Sequence, residues 1–173
     1  MNKKIVIPII IVVMLAMILV LPNWNSSEKQ YLFINDNDVY FDMRKSSLLD
    51  IKGEPYEINK NIGDTPFDEY VYMEKIDSYE ASFSYVMNKS RLIEVSVYIE
   101  NIDYDSALEI SENILNKQER HYSGFSGYYR SDLETDESSE FTVSGGVISG
   151  ATGLSFDYTY MSGDLIITAV CQK

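Results

Sequence analysis

Cysteine and histidine, which carry much of the nucleophilic and metal chemistry of proteins, occur only once each in this 173-residue chain. Cys171 is the single cysteine, so neither an intramolecular disulfide nor a zinc site built from several cysteines can form. Its apolar surroundings near the end of the chain indicate a buried small hydrophobic residue. His121 lies in a polar stretch, where a solvated residue near a helix C-terminus explains it better than a catalytic base. We therefore predict no catalytic residue, no metal ligand and no cofactor.

The sequence also lacks the short motifs that identify common active sites. It contains no Gly-x-Ser-x-Gly nucleophile elbow, no phosphate-binding P-loop, no Gly-x-Gly-x-x-Gly and no His-x-x-x-His. Carboxylates are abundant, so a hydrolase that uses two acids stays an alternative. No spacing in the sequence singles out two of them.

Basic residues are few, with 14 lysines and arginines against 27 aspartates and glutamates. Lys3 and Lys4 lie at the N-terminal end, and no acidic residue precedes Glu28, so the remainder carries 27 acidic and 12 basic side chains. Nucleic acid and anionic lipid heads repel such a surface, which excludes nucleic acid as an expected partner. Solubility is the simpler interpretation of the acidity, and a basic partner is the alternative.

Long hydrophobic runs are absent except for 5–21, which holds no charged side chain. As a helix it would be roughly 25 Å long at about 1.5 Å per residue, close to the ~30 Å of a bilayer core. It is longer than a secretory leader core, and no Ala-x-Ala type of cleavage site follows it. With Lys3 and Lys4 on the cytoplasmic side, we predict a cell-membrane anchor with the body outside, and secretion after cleavage as the alternative.

Strands are predicted where apolar and polar side chains alternate, over 79–87 and 91–100, with a turn at 88–90. In the second of these, Tyr98 falls on the polar side together with Glu94 and Ser96. Gly145-Gly146 is interpreted as a hairpin turn between two C-terminal strands. Further strands are predicted at 31–34 with 39–41, at 70–76, and in the segments that precede and follow 162–164.

Two helices are predicted between these strands. One begins at Asp42 and ends at Gly53, and the other begins at Asp103 or Asp105 and ends at Gly124. The polar segment Gly124–Glu140 is interpreted as a mobile loop. The predicted fold class is α+β: an N-terminal transmembrane or signal helix, then an antiparallel sheet with two helices on one face, the helix-then-strands order occurring twice. The predicted divisions are 1–22 for the membrane segment, 23–30 for a linker and 31–173 for one extracytoplasmic domain.

Two acidic clusters offer oxygen ligands of the kind that calcium prefers. One is Asp36-Asn37-Asp38 with Asp42, and the other is Asp103-Tyr104-Asp105 with Glu109. Neither has the central glycine and terminal glutamate of an EF-hand loop. Turn formation and helix capping account for both, so no metal site is predicted.

Aromatic residues are the notable excess, with 14 tyrosines and 7 phenylalanines. An exposed aromatic face could stack on sugars or hold an extended peptide. We expect instead that these residues form the core beneath the helices, with hydroxyl groups reaching its rim. The two rows concerned are Tyr79, Phe83 and Tyr85, and Phe156, Tyr158 and Tyr160.

The stretch Phe41–Pro55, "FDMRKSSLLDIKGEP", resembles the opening helix of the BamE/SmpA and β-lactamase-inhibitor-protein-like families. The matching positions are Met43, Leu48, Leu49, Gly53 and Pro55, in the pattern of a turn, a short helix with paired aliphatics, and a Gly-x-Pro stop. Asp42 and Lys52 depart from that pattern, and the lipid-anchor cysteine is missing. The resemblance implies an extracytoplasmic domain that binds protein rather than catalysing a reaction.

Taken together, these observations predict a membrane-tethered extracytoplasmic module of bacterial type that binds or assembles with another protein at the membrane or cell surface. It would contact the membrane through residues 5–21. Two alternatives from other classes stay open, a cell-wall-active hydrolase with an acidic site and a secreted inhibitor or immunity-type protein.

Overall fold

The computed structural model describes residues 29, 34, 38–62, 65–122, 124–134, 139–149 and 152–172. These residues form two helices and eight strands. The helices are α1 (Lys45–Lys52) and α2 (Tyr104–His121). The strands are β1 (Glu57–Asn59), β2 (Phe67–Ile76), β3 (Tyr79–Asn88), β4 (Arg91–Ile99), β5 (Ser126–Glu134), β6 (Ser139–Ser149), β7 (Thr152–Met161) and β8 (Asp164–Gln172).

All eight strands belong to one antiparallel sheet in the order β1-β2-β3-β4-β8-β7-β6-β5. A helix followed by four strands therefore occurs in each half of the described chain. The halves join where β4 pairs with β8, with Glu94 opposite Val170 and Ile99 opposite Leu165. Because these two strands are antiparallel, the β3–β4 turn and the β7–β8 turn lie at opposite ends of the sheet.

One face of the sheet, the covered face, carries the core. A continuous apolar row crosses it through the pairs Phe83–Val97, Val97–Ile167, Ile167–Tyr158 and Tyr158–Val143. These side chains are buried, and each contributes roughly 1.5–3 kcal/mol by leaving water. The aromatic residues Phe83, Tyr85, Phe156, Tyr158 and Tyr160, which the sequence singles out, are among the buried core residues.

Both helices pack on the covered face. In α1, Leu48 is fully buried, and the ammonium of Lys52 lies 5.7 Å from the centre of the Phe83 ring. That ammonium also forms an ion pair with Glu74 at 2.8 Å. In α2, the buried Gln118 accepts a hydrogen bond of 2.7 Å from the Tyr158 hydroxyl. Burial raises the pKa of Tyr158 and so keeps its hydroxyl a donor.

The helix ends follow local chemistry. Asp103 is the N-cap of α2, and its carboxylate accepts from the Ser106 amide at 2.9 Å. That bond, with a second one from the Tyr79 hydroxyl at 2.8 Å, lowers the pKa of Asp103 to about 2. Helix α1 stops at Gly53, whose φ of 77° is a conformation that glycine adopts without steric cost.

The predicted fold class, an α+β domain behind an N-terminal transmembrane or signal helix, is wrong. Most of the described chain is one antiparallel sheet, in which β1 has three residues and the other seven strands have nine to eleven. Two helices of 8 and 18 residues accompany it. No helix of the described residues combines the length and apolarity that crossing a bilayer requires. Residues 1–22, where the membrane segment is predicted, lie outside the described residues.

Two segments form strands where the sequence predicts a loop or a turn. Ser126–Glu134 forms β5, where the sequence predicts a loop, because an edge strand pairs on one side only and tolerates a polar sequence. Gly145-Gly146 lies inside β6 rather than at a turn. A Cβ at Gly145 would lie 2.6 Å from the Phe125 ring, and one at Gly146 would lie 2.6 Å from the Leu154 carbonyl oxygen. These glycines therefore allow close packing within a strand.

The first strand of the predicted N-terminal hairpin, 31–34, falls largely outside the described residues. Asp36 and Asn37 of the first acidic cluster also lie outside them.

Candidate functional site

The face of the sheet opposite the helices, called here the open face, carries no helix of the described chain. A row of small polar side chains crosses its middle through the pairs Ser84–Ser96, Ser96–Thr168, Thr168–Asp157 and Asp157–Ser144. The Ser144 hydroxyl donates to the Asp157 carboxylate at 2.6 Å, and the hydroxyls of Ser96 and Thr168 are 3.5 Å apart. Short polar side chains of this kind project little from the sheet.

Large hydrophobic side chains are exposed in the next row of the open face. Tyr98 lies directly opposite Ile166 on β8, and these side chains are 37% and 41% exposed. Met161, which is 53% exposed, pairs with Asp164, two residues before Ile166 in β8, and is therefore diagonal to Ile166. Met73, also 53% exposed, lies in the same row on β2, with Ser82 of β3 between it and Tyr98. We call Met73, Tyr98, Met161 and Ile166 the open-face cluster.

A hydrogen bond holds the aromatic member of this cluster in place. The Tyr98 hydroxyl donates to the Asp164 carboxylate at 2.7 Å, and the other carboxylate oxygen accepts from the Asn101 amide at 3.3 Å. The bond to Asp164 raises the pKa of Tyr98 to about 12. Tyr98 therefore stays neutral at physiological pH, and a partner meets an aromatic ring whose position is already restricted.

Most charged side chains of the open face are acidic. The strand register places these carboxylates on the open face, together with the cation Lys75: Glu57, Glu69, Glu80, Glu94, Glu140, Asp157 and Asp164. Glu69 is oriented by hydrogen bonds from the Asn59 amide, at 3.0 Å, and from the Ser84 hydroxyl. The open face therefore combines exposed apolar area with negative charge, which suits a partner of the opposite charge.

The other residues that the sequence singles out lie elsewhere. His121 is exposed at the end of α2, with its ring 4.9 Å from that of Tyr122. Cys171 is half-buried and packs against the core. Asp103 caps α2, so its oxygens are already engaged. The described residues include no group of three or more His, Cys, Asp or Glu side chains placed to hold a metal ion.

Sequence reasoning missed the open-face cluster as a unit. The alternation in 91–100 does place Tyr98 on the polar side of its strand, which is the one signal available. Its neighbour Ile166 comes from a strand 68 residues later, and the pairing of β4 with β8 cannot be derived from local sequence. At the start of β4, Leu92 is buried while Ile93 is half-buried, because the register shifts next to Val86 and Met87.

No family model matches this chain, and no curated protein or solved structure is similar to it at a significant level. The resemblance of Phe41–Pro55 to the BamE/SmpA-like families therefore stays a prediction.

Proposed function

We propose that this protein is a binding module that works at the outer side of the cell membrane and contacts another protein through the open face of its sheet. The observation that carries the proposal is the open-face cluster. Four large hydrophobic side chains are between 37% and 53% exposed on a face that otherwise carries mainly hydroxyls, carboxylates and the smaller aliphatic side chains of valines. Apolar groups inside a polar rim are typical of protein-binding surfaces.

The chemistry of the face also supports a type of partner. Glu69, Glu94, Asp157 and Asp164 are on the open face, and the chain as a whole has a formal charge of −13. Opposite charges increase the rate of association and favour the correct partner. We infer a protein with a basic surface that carries a small apolar depression, in which Tyr98 and Ile166 would be the anchoring side chains.

The location of the module is supported by the sequence. The apolar run 5–21 follows Lys3 and Lys4, which favours a cytoplasmic N-terminus and an outer location for the acidic body. No particular observation favours the hydrolase or the secreted inhibitor. Among the described carboxyl groups, the shifted pKa is that of Asp103, and helix capping explains it.

Site-specific photocrosslinking in living cells of the native host tests this proposal. A photoreactive amino acid at Ile166 reports contacts of the open face, and one at the exposed Glu119 of α2 is the matched control on the other side of the sheet. We expect Ile166 to give one discrete protein adduct and Glu119 to give none. The adduct should disappear when Met161 is changed to aspartate in the same chain, because a charge would enter the contact.

An adduct of equal yield from Glu119, or no adduct from Ile166 in cells that contain the folded protein, would contradict a contact through the open face.

A further inference from the structure

A second site of different chemistry lies at the start of α1, where the helix meets the β3–β4 turn. A pocket of about 430 Å³ opens there. Four cationic side chains and two serines contribute to its wall: Arg44, Lys45, Ser46, Lys89, Ser90 and Arg91.

Backbone contacts fix this arrangement. The Lys45 amide donates to the Ser90 carbonyl at 3.0 Å, the Leu92 amide donates to the Met43 carbonyl at 3.1 Å, and Arg44 forms a β-bridge with Arg91. Lys89 and Ser90 have φ values of 48° and 67° in the turn, a left-handed conformation that costs non-glycine residues energy. The fold therefore brings cations from two distant segments to one pocket.

Among the described residues, the charge of this pocket is only partly compensated. Arg91 donates to the Asp42 carbonyl at 2.7 Å and lies 4.0 Å from its carboxylate. Arg44, Lys45 and Lys89 form no ion pair within the part of the chain that the structure describes. The Lys45 ammonium lies instead 4.8 Å from the centre of the Tyr70 ring. Several like charges close to one pocket repel each other weakly in water, and an anion bound among them would be stabilised by all of them.

Helix α2 shows what an anion does at the equivalent position. Asp103 caps α2 with its own carboxylate, whereas Arg44 occupies the N-cap of α1 and makes no capping hydrogen bond through its side chain. The N-cap of α1 therefore lacks the negative charge that Asp103 provides for α2, and the adjoining pocket is lined by cations.

We propose that the pocket binds a small molecule that bears a doubly charged phosphate group. Guanidinium groups bind phosphate oxygens in a bidentate way, and serine hydroxyls add donors. The volume lies within the range of about 300–1,000 Å³ that is typical of small-molecule sites. Leu49 lines the same pocket and offers apolar contact to the organic part of the ligand. The formal charge of −13 opposes the approach of a long polyanion, so a small ligand is favoured.

This site does not depend on the open-face contact. Its ligand could be a free phosphate ester or the phosphate headgroup of a lipid, and the two sources share the chemistry described.

Titration calorimetry of the full-length chain in neutral detergent tests the proposal, with inorganic phosphate and glycerol 3-phosphate as probes. Arg44→Gln and Lys89→Gln should each weaken binding about tenfold, because a hydrogen bond to a charged group is lost. Both side chains are exposed, so the variants should unfold at the same temperature as the parent chain. Lys117→Gln on α2 removes the same charge from an exposed position elsewhere and should leave the affinity unchanged.

Two further measurements define the ligand. Binding should weaken as the pH falls from about 7.5 to about 5, because phosphate loses its second charge near pH 6. Flotation assays compare recovery of the chain on phosphatidic acid and phosphatidylcholine vesicles. If the chain binds soluble glycerol 3-phosphate and its recovery on the two kinds of vesicle is equal, the site is assigned to a free ester. Greater recovery on phosphatidic acid vesicles, reversed by Arg44→Gln, assigns it to a lipid headgroup. The proposal is overturned if neither soluble probe binds and recovery on phosphatidic acid vesicles does not exceed that on phosphatidylcholine vesicles, or if Lys117→Gln weakens binding as much as Arg44→Gln.

Discussion

The two halves of the sheet share one topology and differ in charge where each helix begins. Helix α1 precedes β1–β4 and α2 precedes β5–β8, and each half forms a meander that ends at the central β4–β8 pair. In the second half, Asp103 supplies an anion to its own helix. In the first half, Arg44 takes that place and three more cations approach it. The comparison shows that one backbone plan accepts either an acidic or a basic residue at the helix N-cap, and that only the acidic one caps the helix through its side chain.

The halves also differ in how firmly each helix is held. Helix α1 has 8 residues and buries Leu48, whereas α2 has 18 residues and buries six side chains. Short helices depend on tertiary packing for their stability. The pocket of the first half therefore rests on the less firmly held of the two helices.

Of the substitutions that test this comparison, Leu48→Ala should have the largest effect on stability and on phosphate affinity. Removing a fully buried leucine costs about 2–5 kcal/mol in the free energy of unfolding. Because Leu48 is the buried residue of α1, we also expect phosphate affinity to be lost. Ile110→Ala in α2 is the control and should lower stability to a similar extent while keeping the affinity. Urea unfolding and calorimetry measure both quantities, and retained affinity in Leu48→Ala would show that the pocket does not depend on α1.

Tyr158→Phe should have the next largest effect. It removes the 2.7 Å hydrogen bond to Gln118, a fully buried residue, at a cost of about 1–3 kcal/mol. Tyr98→Phe also removes a tyrosine hydroxyl, but at the open face where water replaces it, so stability should not change. Equal losses in the two variants by urea unfolding would contradict the difference between the covered and open faces.

Arg44→Asp exchanges the chemistry of the first half for that of the second. An acidic N-cap should raise the free energy of unfolding by about 0.5–1 kcal/mol, since it can accept from the first amides of α1. The same change should abolish phosphate binding because it reverses a charge in the pocket. Arg44→Gln serves as the comparison without a negative charge. A variant that is more stable but still binds phosphate would show that the residue at the N-cap of α1 does not contribute to phosphate binding.

A smaller, pH-dependent effect is expected at Asp103. Its pKa lies at about 2 in the folded protein against an ordinary value of 3.8, so the unfolded chain takes up its proton first on acidification. The capping contribution is therefore complete above about pH 4 and is lost as the pH falls toward about 2. Asp103→Asn keeps a capping side chain without a charge and should flatten this part of the stability curve. Identical curves for the two proteins would be inconsistent with the lowered pKa.

Local patterns in the sequence were sufficient for some of the elements. Alternation predicts strands over 79–87 and 91–100, where β3 and β4 lie, and a capping aspartate with a helical stripe predicts a helix where α2 lies. Such patterns reflect contacts between residues close together in the chain. They did not predict the polar edge strand β5, nor the glycines inside β6, because sheet pairing and ring packing decide those segments.

The candidate sites were less accessible to sequence reasoning for the same reason. Arg44 and Arg91 are 47 positions apart, and Tyr98 and Ile166 are 68 apart. Each residue is unremarkable in its local segment. Backbone pairing between distant segments brings them together, and local sequence patterns contain no direct information on that pairing.

Methionine oxidation offers the most direct test of the open face as a contact surface. Met73 and Met161 on that face are each 53% exposed, whereas Met43 and Met87 are buried at 1% and 2%. Mild peroxide should oxidise the first pair and spare the second in the purified chain, since exposure controls the reaction. In intact cells of the native host, with mass spectrometry as the readout, we predict that Met73 and Met161 become protected. Equal oxidation of these two residues in cells and in the purified chain would contradict a partner on the open face.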